Sequence, residues 1–179
     1  MIYLFLAEGF EEIEALAPLD LLRRAGLTVT TVGVGGTQIT GSHGITVCAD
    51  CTDTDYHDEA PELVILPGGM PGTLNLAASK TVLDAIHAAV ETNAYLAAIC
   101  AAPSILGDLG LLAGKEAICY PGFEERLRGA RISEKRVVRD GRIVTAAGMG
   151  VAVEFGLELV ALLCGESKAA ELKKNVLAS

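Results

Sequence analysis

Short apolar runs recur along the chain, and most are followed by a segment whose apolar positions repeat at helical spacing. The run "IYLFLA" at 2–7 is apolar at every position, whereas "EEIEALAPLDLLRRA" at 11–25 sets its apolar residues three and four apart and is closed by Gly26. Read in this way, the pattern predicts strands over 2–7, 28–34, 45–48, 63–66, 95–99 and 117–119. Helices are predicted over 11–25, 81–91, 101–112, 151–164 and 167–177. "VVRDGRIVTA" at 137–146 reads as a hairpin, because Asp140-Gly141 suits a tight turn between two β-rich arms. A polar acidic connection fills 50–62. Uniformly apolar strands alternating with helices imply a mostly parallel sheet covered on both faces, in one α/β domain spanning 1–179.

In such sheets, ligands sit beyond the carboxyl ends of the strands. Three stretches follow strands and carry chemistry: 8–14, 67–72 and 100–103. In "YLAAICAAPSILGDLGLL", Cys100 falls between a strand-length run and an alanine-rich helix with Pro103 near its start. Small neighbours at Ala98, Ala101 and Ala102 allow the pinched strand-to-helix turn that presents a nucleophile, and amides of the new helix favour a thiolate. Cysteine is also a common small core residue, so this motif alone leaves both readings open. Glu14 is singled out because Pro18, four residues on, cannot donate to its carbonyl, which predicts a distortion there; a carboxyl buried at that point could pass a proton to a thiol. Glu11 and Glu12 read as ordinary acids at a helix start. "LPGGMPG" puts Gly68 and Gly69 after a buried strand, where their amides suit either an oxyanion site or a plain tight turn.

Composition narrows the partners. The net charge of −9 disfavours nucleic acid and anionic membrane surfaces. No apolar run approaches the ~18 residues of a membrane span, and "MIYLFLAEGF" is too short for a secretory leader. Five cysteines without framework spacing point to reduced thiols and a cytoplasmic setting. Cys48 and Cys51 form a lone C-x-x-C that suits packing better than zinc, and His57 and His87 read as surface residues.

Taken together, "EGFEEIEALAPLDLLRRAG", "LVILPGG", "AAICAAP" and "GRIVTAAGMGVAVEFGLELV" resemble the ThiJ/PfpI superfamily, in particular its Parkinsonism-associated deglycase branch, in order and spacing over nearly the whole chain. That resemblance implies a flavodoxin-like three-layer sandwich, a homodimer, and no cofactor or metal. Cys100 matches the family's reactive cysteine and Glu14 the acid bonded to its sulfur. Gly69 and Ala101 match the amides that face the pocket, while Asp20, Arg24 and Cys48 match the dimer region. Three departures stand out. Ala101 replaces the histidine of protease-like members, which argues against a peptidase. Tyr120 replaces a histidine of the deglycase branch, and Ser42 and His43 fall where that branch carries an anion-binding arginine. The implied activity is glyoxalase or deglycase chemistry on a small 2-oxoaldehyde or a glycated substrate. The alternative is an oxidative-stress sensor or chaperone whose Cys100 is oxidised to sulfinate without turnover.

Overall fold

The computed structural model describes residues 1–57 and 60–178; positions 58 and 59 of the expected acidic connection, and residue 179, lie outside them. The chain begins with β1 (Ile2–Leu6), α1 (Glu12–Arg24), β2 (Val29–Gly33), β3 (Gln38–Thr40), β4 (Thr46–Cys48) and β5 (Cys51–Thr52). It continues with β6 (Leu63–Leu66), α2 (Gly72–Ala78), α3 (Lys80–Glu91), β7 (Tyr95–Ile99), α4 (Pro103–Asp108), β8 (Glu116–Ala117) and β9 (Arg131–Ile132). The hairpin β10 (Val137–Asp140) and β11 (Ile143–Ala146) precedes α5 (Ala152–Cys164) and α6 (Glu166–Asn175).

Seven strands form the central sheet in the order β10-β11-β7-β6-β1-β2-β5, parallel throughout except for the β10–β11 hairpin. The uniformly apolar strands are explained by burial on two sides. Leu4, Leu6, Leu63 and Ile65 face a cluster with Leu22 of α1, Phe155 of α5 and Leu172 of α6. Their neighbours Phe5, Val64 and Leu66 face the other cluster, with Leu76 of α2, Ile86 of α3 and Leu106 of α4. Alternate residues thus feed opposite layers, as the two-residue period of a strand requires. The result is the expected three-layer arrangement, and among the described residues no helix is long and apolar enough to cross a membrane.

Several boundaries differ from the pattern. The helix expected over 101–112 is only Pro103–Asp108, because the chain turns out of it at Gly110, whose φ is +75°. The strand expected at 45–48 leaves the central sheet to form a separate antiparallel hairpin with β3. Pro18 neither ends α1 nor breaks it at Glu14; the helix runs unbroken from Glu12 to Arg24. Packing explains this, since Pro18 is buried where α1 crosses α5, and a Cβ at Gly156 would lie 2.9 Å from Pro18 Cα.

Strand order positions the site. The chain leaves β1 toward β2 on one side and returns to β6 on the other, so the crevice above β1 and β6 is the switch point of the sheet. With β7 beside β6, the loops after β1, β6 and β7 meet at one end.

Candidate active site

Cys100 follows β7 in a backbone conformation that L-residues seldom adopt, with φ at +65°. Its turn is tied on both sides: the Cys100 N–H donates to Ala146 O (2.9 Å), and the Tyr120 N–H donates to Cys100 O (2.7 Å). Holding a non-glycine residue there costs on the order of 1 kcal/mol, which the flanking strands must offset. Ala101 and Ala102 are buried, as the tight turn demands.

Glu14 reaches the same point from the first turn of α1. It is 1% exposed. Its Oε2 accepts from the Gly68 N–H at 3.0 Å, and it hydrogen-bonds the Cys100 side chain and the Met149 backbone as well. Gly68 has no room for a side chain, because a Cβ would stand 2.6 Å from Glu14 Oε2 and 2.7 Å from Cys100 Cβ. Gly69 is required for two reasons: its φ is +89°, and a Cβ would stand 2.3 Å from the Glu11 nitrogen. The loops after β1 and β6 therefore interlock, with the Glu11 N–H donating to Gly68 O at 2.9 Å.

The electrostatics follow from this packing. Burial, reinforced by the charge of Glu11, pushes the Glu14 carboxyl up to about 7 against the hydrogen bonds from Cys100, Gly68 and Met149. Burial also pushes the Cys100 thiol up to about 12, and the neighbouring Glu14 adds to the rise, while the Gly69 and Ala101 amides oppose it. The expected lowering of the thiol by a helix start is thus outweighed; α4 is only Pro103–Asp108 and begins beyond the turn. Two adjacent negative charges in this buried place are costly, so the groups titrate as a pair with one proton between them.

Tyr120 lies at the rim. Its ring is half exposed, and a Cβ at Gly148 would be 3.4 Å from Tyr120 Cδ2 and 3.9 Å from Glu14 Oε1. Tyr120, Pro121, Arg136 and the 147–151 segment line an open depression there. The structure thus gathers Cys100, Glu14, Gly68, Gly69, Ala101 and Tyr120 at one end of the sheet. It leaves Cys48 and Cys51 in different sheets, Cys48 exposed and Cys51 donating to Thr31 O at 3.8 Å. Asp20 and Arg24 pair with each other on the exposed side of α1 at 2.6 Å. His57 and His87 are exposed along a groove at α3, away from these residues.

Two contributors were not evident from the sequence. Met149 carries no local signal in "GMGVAV", but the register Ala146↔Ile99 brings the segment after β11 to the end of β7. Glu12, read as an acid at a helix start, is 2% exposed and bonded to His43. Among the described residues, Glu11, Glu12 and His43 are the group whose carboxylate and imidazole atoms lie near enough to share a cation. Glu11 Oε2 already caps the Glu14 N–H (2.7 Å), and Glu12 is occupied by the turn at His43.

Comparison with known proteins gives the family and the fold. The family model described as the DJ-1/PfpI family matches residues 1–162. A zebrafish (Danio rerio) protein named Parkinson disease protein 7 homolog is 35% identical over 173 residues, covering 94% of this chain and 92% of the relative. A Caenorhabditis elegans protein named glutathione-independent glyoxalase DJR-1.2 is 30% identical over 169 residues, covering 93% and 90%. The solved structure of oxidized Toxoplasma gondii DJ-1 superposes with a TM-score of 0.94 at 31% identity, covering 98% of this chain and 97% of that one. The chain belongs to the DJ-1/PfpI family.

Proposed function

We propose that this protein is a cysteine-dependent enzyme acting on small reactive carbonyls, with 2-oxoaldehydes such as methylglyoxal as substrates. The observation that carries the reading is the buried Glu14 carboxyl, hydrogen-bonded to Cys100 and raised to about 7, where it can both hold and release a proton. Because the carboxyl ionises before the thiol, Glu14 acts first as a base: it takes the thiol proton, and the thiolate so formed faces the Gly69 and Ala101 amides. The thiolate adds to the aldehyde carbon, and the new oxyanion takes a proton to give a hemithioacetal. Glu14, then ionised, removes the proton from that carbon and returns it to the neighbouring carbonyl carbon. The hydroxyl proton passes to the neighbouring carbonyl oxygen, leaving a thioester that bears a 2-hydroxyl. Water cleaves the thioester, releasing a 2-hydroxy acid and the free thiol. The sum is the aldehyde plus one water, with no external oxidant or reductant.

The name of the worm relative, a glyoxalase independent of glutathione, supports this choice. Glycated substrates, whose carbonyls are masked forms of the same group, fit the same chemistry. Purified protein is expected to form lactate from methylglyoxal with glutathione and metals excluded, and Cys100→Ser is expected to abolish it. Wild-type protein that forms no lactate would exclude this function.

The second reading is oxidation of Cys100 to a sulfinate held by protonated Glu14, and the solved oxidized Toxoplasma relative favours it. Here the protein would respond to peroxide without turning over a carbonyl. The lactate assay separates the two.

A further inference from the structure

We propose that Glu12 is a positioning residue for the Glu14–Cys100 pair: its buried carboxylate clamps the 41–45 turn of the β3–β4 hairpin onto the first turn of α1 and so fixes where Glu14 points. This rests on the reading of Glu14 and Cys100 as the reacting pair.

The clamp is built from several bonds. Glu12 Oε1 accepts from the His43 N–H at 2.8 Å and, more weakly, from the Ile45 N–H at 3.4 Å. Glu12 Oε2 meets His43 Nδ1 at 2.9 Å. The turn wraps closely around the carboxylate, because a Cβ at Gly41 would stand 2.4 Å from Glu12 Cδ and Oε1. The carboxylate is 2% exposed, so removing it would leave the amides it satisfies without that acceptor.

Placement makes the clamp matter for Glu14. Two residues of helix separate Glu12 from Glu14, about 200° of rotation, so the carboxylates leave α1 on opposite sides. Glu14 is held to Gly68 and Cys100 on one side, and Glu12 to the hairpin on the other. The hairpin is itself secured to the preceding loop, with Gly9 N–H donating to Thr40 O (2.8 Å) and Ser42 N–H to Phe10 O (2.7 Å). Those bonds fix residues 9 and 10; the Glu12 bonds reach the helix itself and set its rotation.

The test compares Glu12→Ala, Glu12→Gln, His43→Ala and Glu14→Ala by the pH profile of Cys100 alkylation with iodoacetamide and by kcat and KM. Alkylation needs no turnover, so a wild type that forms no lactate would remove the proposed activity and still leave the clamp tested. Glu12→Ala is expected to displace the profile in the same direction as Glu14→Ala, and to lower kcat about 10-fold with KM little changed, as a misplaced reacting group does. Glu12→Gln should restore most of the profile, because its oxygen can accept from the His43 and Ile45 amides while its NH2 faces Nδ1. His43→Ala, whose side chain is 70% exposed in the native protein, should shift the profile part of the way. A wild-type profile in folded Glu12→Ala, or a shift opposite to that of Glu14→Ala, would overturn the proposal. If Glu12→Ala does not fold, His43→Ala decides: a wild-type profile there overturns it equally.

Discussion

Glu14 is held where its function and its contribution to stability oppose each other. Its folded value of about 7 stands above the ordinary 4.5, so between those values the native state binds more protons than the unfolded chain. The stabilisation from keeping it neutral is fully present below about pH 4.5 and is lost as pH rises through 7. Full loss amounts to roughly 3 kcal/mol. Glu14→Gln has nothing to ionise. Denaturant unfolding should therefore give similar stabilities for variant and wild type at pH 4.5, and a variant more stable by ~1–3 kcal/mol at pH 8. The same variant should lose carbonyl turnover by ~100-fold or more, since an amide cannot move the proton. Equal stabilities at both pH values would show that the carboxyl is not buried as described. At this scale the sequence was legible where a residue follows a strand: Cys100, Gly68 and Gly69 stand at strand ends, and Glu14 was marked by Pro18. The distortion expected from Pro18 did not occur, so Glu14 was singled out through a consequence that tertiary packing cancels. Glu12 was not legible, because an acid in a first turn has a sufficient local reason to be there. Its partner His43 lies 31 positions away in a hairpin turn.

Among elements, the crossing of α1 and α5 shows what local propensity omits. Alanine is a better helix former than glycine by about 1 kcal/mol. Gly156 nevertheless stands inside α5, where a Cβ would lie 2.7 Å from Leu21 Cδ1 and 2.9 Å from Pro18 Cα. The leucine can turn aside, but the Pro18 backbone cannot. Gly156→Ala should thus lower the unfolding free energy by ~1–3 kcal/mol despite the gain in propensity, as overpacking does. A variant as stable as wild type in urea would mean that the helices can separate without cost. The long elements were readable because burial on two faces leaves a continuous apolar signal in strands and a periodic one in helices. The two-residue strands β5 and β9 have too few positions to show a period, and of the strand expected over 117–119 only Ala117 is extended, in β8, which pairs with β9 outside the central sheet. Helix α2 was hidden by Gly72 at its start and by Ser79, which accepts from the Val82 N–H (3.4 Å) to open α3 directly behind it.

For the whole molecule, the exposed side chains Ile13, Ile45, Met149 and Val153 come from segments around the candidate site. We propose that these side chains, with the exposed pair Asp20–Arg24 and Cys48, belong to a homodimer face across α1 and the β3–β4 hairpin. Light scattering at micromolar concentration is expected to give twice the mass of one chain, and Ile13→Lys to halve it; the mass of one chain in the unmodified protein would refute the assembly. A different property follows from the order of the central sheet. Its margins are β5, only Cys51–Thr52, and β10, which carries Arg139 and Asp140. An added strand would find two residues to pair with on one side and a charged edge strand on the other. Fibre growth by strand addition is therefore blocked at both margins while the fold is intact. Any aggregation of the central sheet would have to begin with unfolding, when the apolar strands β1, β6 and β7 lose the helices that cover them.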